Sequence, residues 1–157
     1  PHKKSEHSTH IKKYYAKNTK KIGDRGEAIV KKHLENTLPE QIIKTIKHLA
    51  ADNITPGYDI EYYDELNRHH CVEVKSTTAN NFLDFILTIN EWKAAMDEEF
   101  YTICLVSKCL TNTPEIYNLG NPVKLVDENK LIKEPLSFLI KLNEKDRIRV
   151  KSKVNNR

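Results

Sequence analysis

The stretch YDIEYYDELNRHHCVEVKST, residues 58–77, decides how this chain is read. Tyr58–Tyr63 is rich in aromatic residues and isoleucine, Asp64–Arg68 carries turn formers, and His69–Thr77 is a second extended run. Together they spell an antiparallel hairpin. Side chains alternate along a strand, so Val72 and Val74 turn into the core while Cys71, Glu73 and Lys75 turn to the other face. Asp59, facing opposite to Tyr58 and Ile60, comes within reach of Glu73 across the hairpin. Two carboxylates and a backbone carbonyl, that of Val74, make an oxygen-only site suited to Mg2+ or Mn2+. Lys75 stands where it can orient and deprotonate a water, with a pKa expected to fall near a metal in a partly dry cleft. The plain alternative is an ion pair of Glu73 and Lys75 on a solvent face.

Upstream of the hairpin, Asp24 and Glu27 have the spacing of a capping box, and Ala28, Ile29, Val30, His33 and Leu34 form a helical stripe that ends by Pro39. Residues 41–50 fit a helix by spacing and a strand by composition, and a strand is favoured before the turn at Pro56-Gly57. Downstream, Phe82–Thr88 reads as a strand. Asn90 then caps a helix over Glu91–Glu99 that buries Trp92, Ala95 and Met96, with Glu91 capping or buttressing it. Tyr101–Ser107 is a strand, Glu115–Asn118 a short one, and Asn121-Pro122 a turn. Leu131–Leu142 has enough apolar residues to pack, and Arg147–Val154 alternates as a basic edge strand.

Composition and charge narrow the function. The 157 residues suit one domain, 38% are apolar and 31% charged, and no run approaches a bilayer span or a secretory signal. Cys71, Cys104 and Cys109 are too few for a disulfide scaffold, which points to a reducing, cytoplasmic setting. His69, His70 and Cys71 with Cys104 and Cys109 make no zinc spacing, and four glycines make no phosphate loop. The net charge of +4 divides into +6 over residues 1–22, −7 over 23–146 and +5 over 147–157. Basic ends of this kind suit a polyanion or serve only as soluble tails; the candidate contacts are Lys12, Lys13, Lys17, Lys20, Lys21, Arg147, Arg149, Lys151 and Lys153. Ser76 and Thr77 could add phosphate contacts or simply form the turn that ends their strand.

Gly26-Glu27, then Pro56-Gly57-Tyr58-Asp59-Ile60, then Val72-Glu73-Val74-Lys75-Ser76-Thr77, followed by Phe85-x-Leu87, Glu91-Trp92 and Asn121-Pro122, resemble the PD-(D/E)XK nuclease superfamily. The branch is similar to the C-terminal domain of NO VEIN proteins, which also occurs in bacterial restriction and defence proteins. The resemblance covers roughly residues 22–125. It departs from the superfamily name in having Tyr58 rather than proline before Asp59.

What the resemblance implies is an α/β fold, a restriction-endonuclease-like αβββαβ core with a mixed central sheet flanked by helices. Asp59 and Glu73 would bind the metal, Lys75 would assist the water, and Glu27 would complete the site unless it serves the capping box. Residues 1–21 form a basic arm, 22–125 the nuclease-like domain and 126–157 an extension with a basic end. The expected function is a Mg2+-dependent DNA endonuclease of restriction or defence type. It would act on double-stranded DNA, as a module beside a helicase or specificity subunit and as a possible homodimer. The rival is a nuclease fold without chemistry that binds DNA or a protein partner, and RNA is a further substrate of the same fold.

Overall fold

The computed structural model describes residues 19–49 and 56–136. Helix α1 runs Thr19–Thr37, a single turn α2 covers Glu40–Ile43, and β1 is Lys47–His48. Strands β2 (Ile60–Tyr63) and β3 (His69–Ser76) form the hairpin, and α3 (Ile89–Asp97) leads into β4 (Phe100–Ser107). Strand β5 (Glu115–Gly120) and helix α4 (Pro122–Asp127) follow. The five strands lie in spatial order β1-β2-β3-β4-β5. Every pair is antiparallel except β3 and β4, which run parallel with Val74 opposite Cys104. Apart from the single turn α2, the order from α1 to β4 is the expected αβββαβ, in a mixed sheet flanked by helices.

The parallel pair explains the burial. Antiparallel strands can be joined by a tight turn, but a parallel neighbour needs a crossover, and α3 supplies it. A sheet so covered is apolar on both faces. Toward α1, Val30, Ile60, Val72, Val74, Cys104 and Val106 pack with Ile29 and Leu34. Toward α3, Cys71, Ala94, Ala95, Tyr101, Ile103 and Leu105 pack with Phe82, Phe85 and Leu87. Glu73 and Lys75 therefore face a second packed layer rather than open solvent.

Several local expectations are corrected. Helix α1 begins five residues before Asp24, which sits inside it and pairs with Lys20 at 3.0 Å, so the Asp24–Glu27 capping box does not form. Lys20 and Lys21 consequently belong to α1, not to an arm. Residues 41–50 split: α2 uses the isoleucine spacing, and only Lys47–His48 pairs as strand, against Glu61 and Ile60. Phe82–Thr88 is irregular, because Phe82, Phe85 and Leu87 lie over the α3-side core without a strand partner. The cap of α3 is Thr88 rather than Asn90: its side chain accepts from Glu91 N–H, and Glu91 accepts from Thr88 N–H. Met96 is exposed, and Ala94 takes the buried place beside Ala95. Asn121-Pro122 starts α4, Asn121 capping it and Pro122 occupying its first turn.

No described helix is long and apolar enough to cross a membrane. The expected strand at Arg147–Val154, most of the stretch Leu131–Leu142, and Lys12, Lys13, Lys17, Arg147, Arg149, Lys151 and Lys153 lie outside the described residues.

Candidate active site

The site grows out of a mismatch in strand length. Strand β2 begins at Ile60, paired with Val72, whereas β3 continues to Ser76. Asp59 N–H still donates to Val72 O at 3.0 Å, but beyond it β2 offers Val74 no backbone partner. The Asp59 carboxylate takes that place, accepting from Val74 N–H at 2.8 Å. A strand residue turns its N–H and C=O to the same edge, so the Val74 carbonyl faces the Asp59 side as well.

The loop entering this fork is fixed from behind. Gly57 has φ of +105°, and a Cβ there would lie 2.6 Å from the Asn90 carbonyl, so the chain presses on α3 as only glycine permits. Tyr101 O–H donates to Gly57 O at 3.0 Å inside the core. Tyr58 packs with the α3-side cluster while Ile60 packs with the other, so strict alternation starts only at Ile60, and Asp59 lies at the end of β2, its carbonyl accepting from Leu49 N–H.

Glu73, only 4% exposed, and Lys75 share the α3 face. Lys75 Nζ lies 2.7 Å from Glu73 Oε1 and 2.7 Å from Glu91 Oε2, bridging strand and helix. Glu91 thus caps α3 and holds the lysine with the same oxygen. Glu27 projects from α1, and its Oε2 lies 2.6 Å from Nε2 of His48 on β1. Directly beside it, Gly26 meets the end of β3: a Cβ there would fall 1.7 Å from Ser76 Oγ.

Burial dominates the electrostatics. It lifts the Asp59 carboxyl to about 6, with the Val74 N–H pulling down and the Glu27 charge pushing up. Burial also pushes Glu73 well above the carboxylate range, with Lys75 opposing and Asp59 and Glu91 adding to the rise. Burial alone would depress Lys75, but Glu73 and Glu91 more than reverse it. The expected fall of the lysine pKa is therefore corrected: two carboxylates hold its proton.

Asp59, Glu73, Lys75 and the Val74 backbone converge, with Glu27 close enough to act on Asp59 electrostatically. Ser76 does not serve the surface, since its Oγ is buried without a partner against Gly26, where no phosphate reaches it. Thr77 Oγ1 accepts from Ala79 N–H and shapes the turn. Glu91 was legible as a cap, not as the lysine's second partner, and nothing in the sequence flagged His48 or Tyr101.

One further group was missed. Among the described residues, the His, Cys, Asp and Glu side chains that bring three ligand atoms within 4.8 Å of one another are His69, Cys71 and Glu98. Spacing rules overlook it because the third member is a carboxylate beyond the end of α3, far along the chain.

A protein-family model described as Protein NO VEIN, C-terminal, matches residues 26–119. The chain belongs to the NO VEIN C-terminal family. The match runs from the Gly26 contact in α1 to Leu119 in β5 and contains Glu27, Asp59, Glu73, Lys75 and Glu91. No curated protein and no solved structure matches the chain.

Proposed function

We propose that this NO VEIN-type domain is a metal-dependent nuclease module that hydrolyses DNA phosphodiesters. The observation that carries the reading is the placement of two carboxylates, the buried Glu73 and the half-buried Asp59, at a strand fork with a protonated lysine beside them. Buried acids lifted above their ordinary range are costly unless a cation takes the proton's place. The donors are all oxygen, which suits Mg2+ or Mn2+ and not a soft metal.

Asp59, Glu73 and the Val74 carbonyl would hold the ion, with Glu27 supporting from α1. Bound there, it would polarise a phosphoryl oxygen and acidify a coordinated water. Lys75, kept charged by Glu73 and Glu91, offsets the negative charge that builds on the phosphoryl oxygens during attack. Glu91 sets the direction of its Nζ from a rigid helix start, and His48 fixes the Glu27 carboxylate. The basic ends of the chain would hold the DNA backbone without reading sequence. In keeping with its resemblance to restriction and defence proteins, such a module would act beside a helicase or specificity subunit.

The second reading, a domain that binds without cutting, is favoured by one feature: Lys75 already satisfies Glu73 and Glu91. Nicking of supercoiled DNA separates the two. Mg2+-dependent nicking lost in both Asp59→Asn and Lys75→Ala, with the fold retained, supports the nuclease. Absence of nicking with Mg2+ and with Mn2+, and no rise in melting temperature with either, supports the binder.

A further inference from the structure

Upstream on β3, on the same face as Glu73 and Lys75, lies a cluster that the proposed reaction does not use. Residues two apart on a strand share a face, so His69 and Cys71 project together toward the end of α3, where Glu98 follows the last helical turn. Cys71 Sγ lies 3.6 Å from His69 Nδ1, and Glu98 Oε2 lies 3.3 Å from the same nitrogen. A tetrahedral zinc with ordinary bond lengths requires edges of about 3.6 Å between sulfur and nitrogen and about 3.3 Å between nitrogen and oxygen. The two sets agree.

The surroundings fit as well. His69 Nε2 is 3.1 Å from Glu61 Oε2, and Lys47 Nζ holds the other Glu61 oxygen at 2.9 Å. A carboxylate on the far nitrogen fixes the tautomer that leaves Nδ1 free to ligate. Tyr58 O–H also donates to Glu61 at 3.5 Å and packs edge-on to the His69 ring, at 5.9 Å between centroids. One thiolate and one carboxylate balance a divalent charge, and the negative end of α3 adds to the attraction.

We infer that His69, Cys71 and Glu98 form a zinc site separate from the oxygen site of Asp59 and Glu73, tying the start of β3 to the end of α3. The sulfur and imidazole donors select Zn2+ over Mg2+. Three protein ligands leave the fourth position to water, and Tyr58 and Glu98 line a shallow cleft beside α3. Binding exchanges the Cys71 thiol proton for the metal and releases it to solvent.

The test is Co2+ titration of the full chain after chelator treatment, followed by sulfur-to-cobalt charge transfer and the ligand-field bands of four-coordinate Co2+. The expected result is one Co2+ per chain, displaced by Zn2+ and not by excess Mg2+. Cys71→Ser should abolish the charge-transfer band, and Glu61→Gln should weaken binding about 10–100-fold. Because Cys71 is buried, Glu98→Gln provides a variant at a partly exposed side chain, expected to lower affinity at least tenfold with circular dichroism unchanged. Asp59→Asn should leave the titration intact, so failure here is distinct from failure of the nuclease reading. Absence of a sulfur–cobalt band, or a band that survives Cys71→Ser, overturns the site and leaves His69 as an ordinary partner of two carboxylates.

Discussion

Asp59 carries two duties that oppose each other. It closes the hydrogen-bond gap at Val74, yet burial lifts its carboxyl from 3.8 to about 6. Because the folded state binds the proton more tightly than the unfolded state, stability is highest below the ordinary carboxylate pKa and falls as pH rises to about 6. Asn at this position still accepts from Val74 N–H and has no charge to bury. Asp59→Asn should therefore stabilise the metal-free protein at pH 7–8 by up to about 3 kcal/mol, with the gain vanishing near pH 4. Thermal melts across that range check it. At Ser76 a buried hydroxyl without a partner contributes nothing, so Ser76→Ala should be neutral or stabilising by about 1 kcal/mol. Gly26→Ala should cost about 2 kcal/mol or more in urea unfolding, since its Cβ would overlap Ser76. Asp59, Glu73 and Lys75 were legible in sequence because strand alternation and a short turn dictate where such residues go. His48 and Tyr101 were not, because their roles depend on β1 register and on a loop folded across α3.

At the scale of elements, helix α3 joins the crossover to the site through Glu91. Glutamine at the third helical position preserves a capping box, whereas only glutamate puts a charge on Lys75. Glu91→Gln should leave helicity and melting temperature nearly unchanged while lowering the Lys75 pKa, as read by nitrogen NMR of its Nζ. Thr88→Ala should instead cost about 1 kcal/mol through the lost cap. The strands β2, β3 and β4 could be read in advance, each having a β-rich composition bounded by turn residues. Phe82–Thr88 has the same composition but no neighbour to pair with, and its aromatic side chains serve the core from an irregular segment. Local preference cannot register the lack of a partner strand. The start of α1 was likewise hidden, since polar Thr19–Lys21 extends the helix without adding to its apolar stripe.

Across the whole molecule, stability is concentrated in the parallel pair. Strands β3 and β4 are covered on both faces, whereas β1 has two residues and β5 is largely exposed. Hydrogen exchange should show β3 and β4 amides opening only with global unfolding and β1 amides exchanging first. The charge pattern, with basic ends around an acidic middle, predicts DNA affinity that falls steeply with salt, about 0.9 in log–log slope per phosphate neutralised. A flat salt response would remove the basic ends from the binding surface. The Asp59 bridge to Val74 has a longer consequence. Aspartate and asparagine codons differ by a single nucleotide, and the physical gradient at this position runs toward the amide. Lineages released from any demand for catalysis would therefore drift to asparagine there without damage to the architecture.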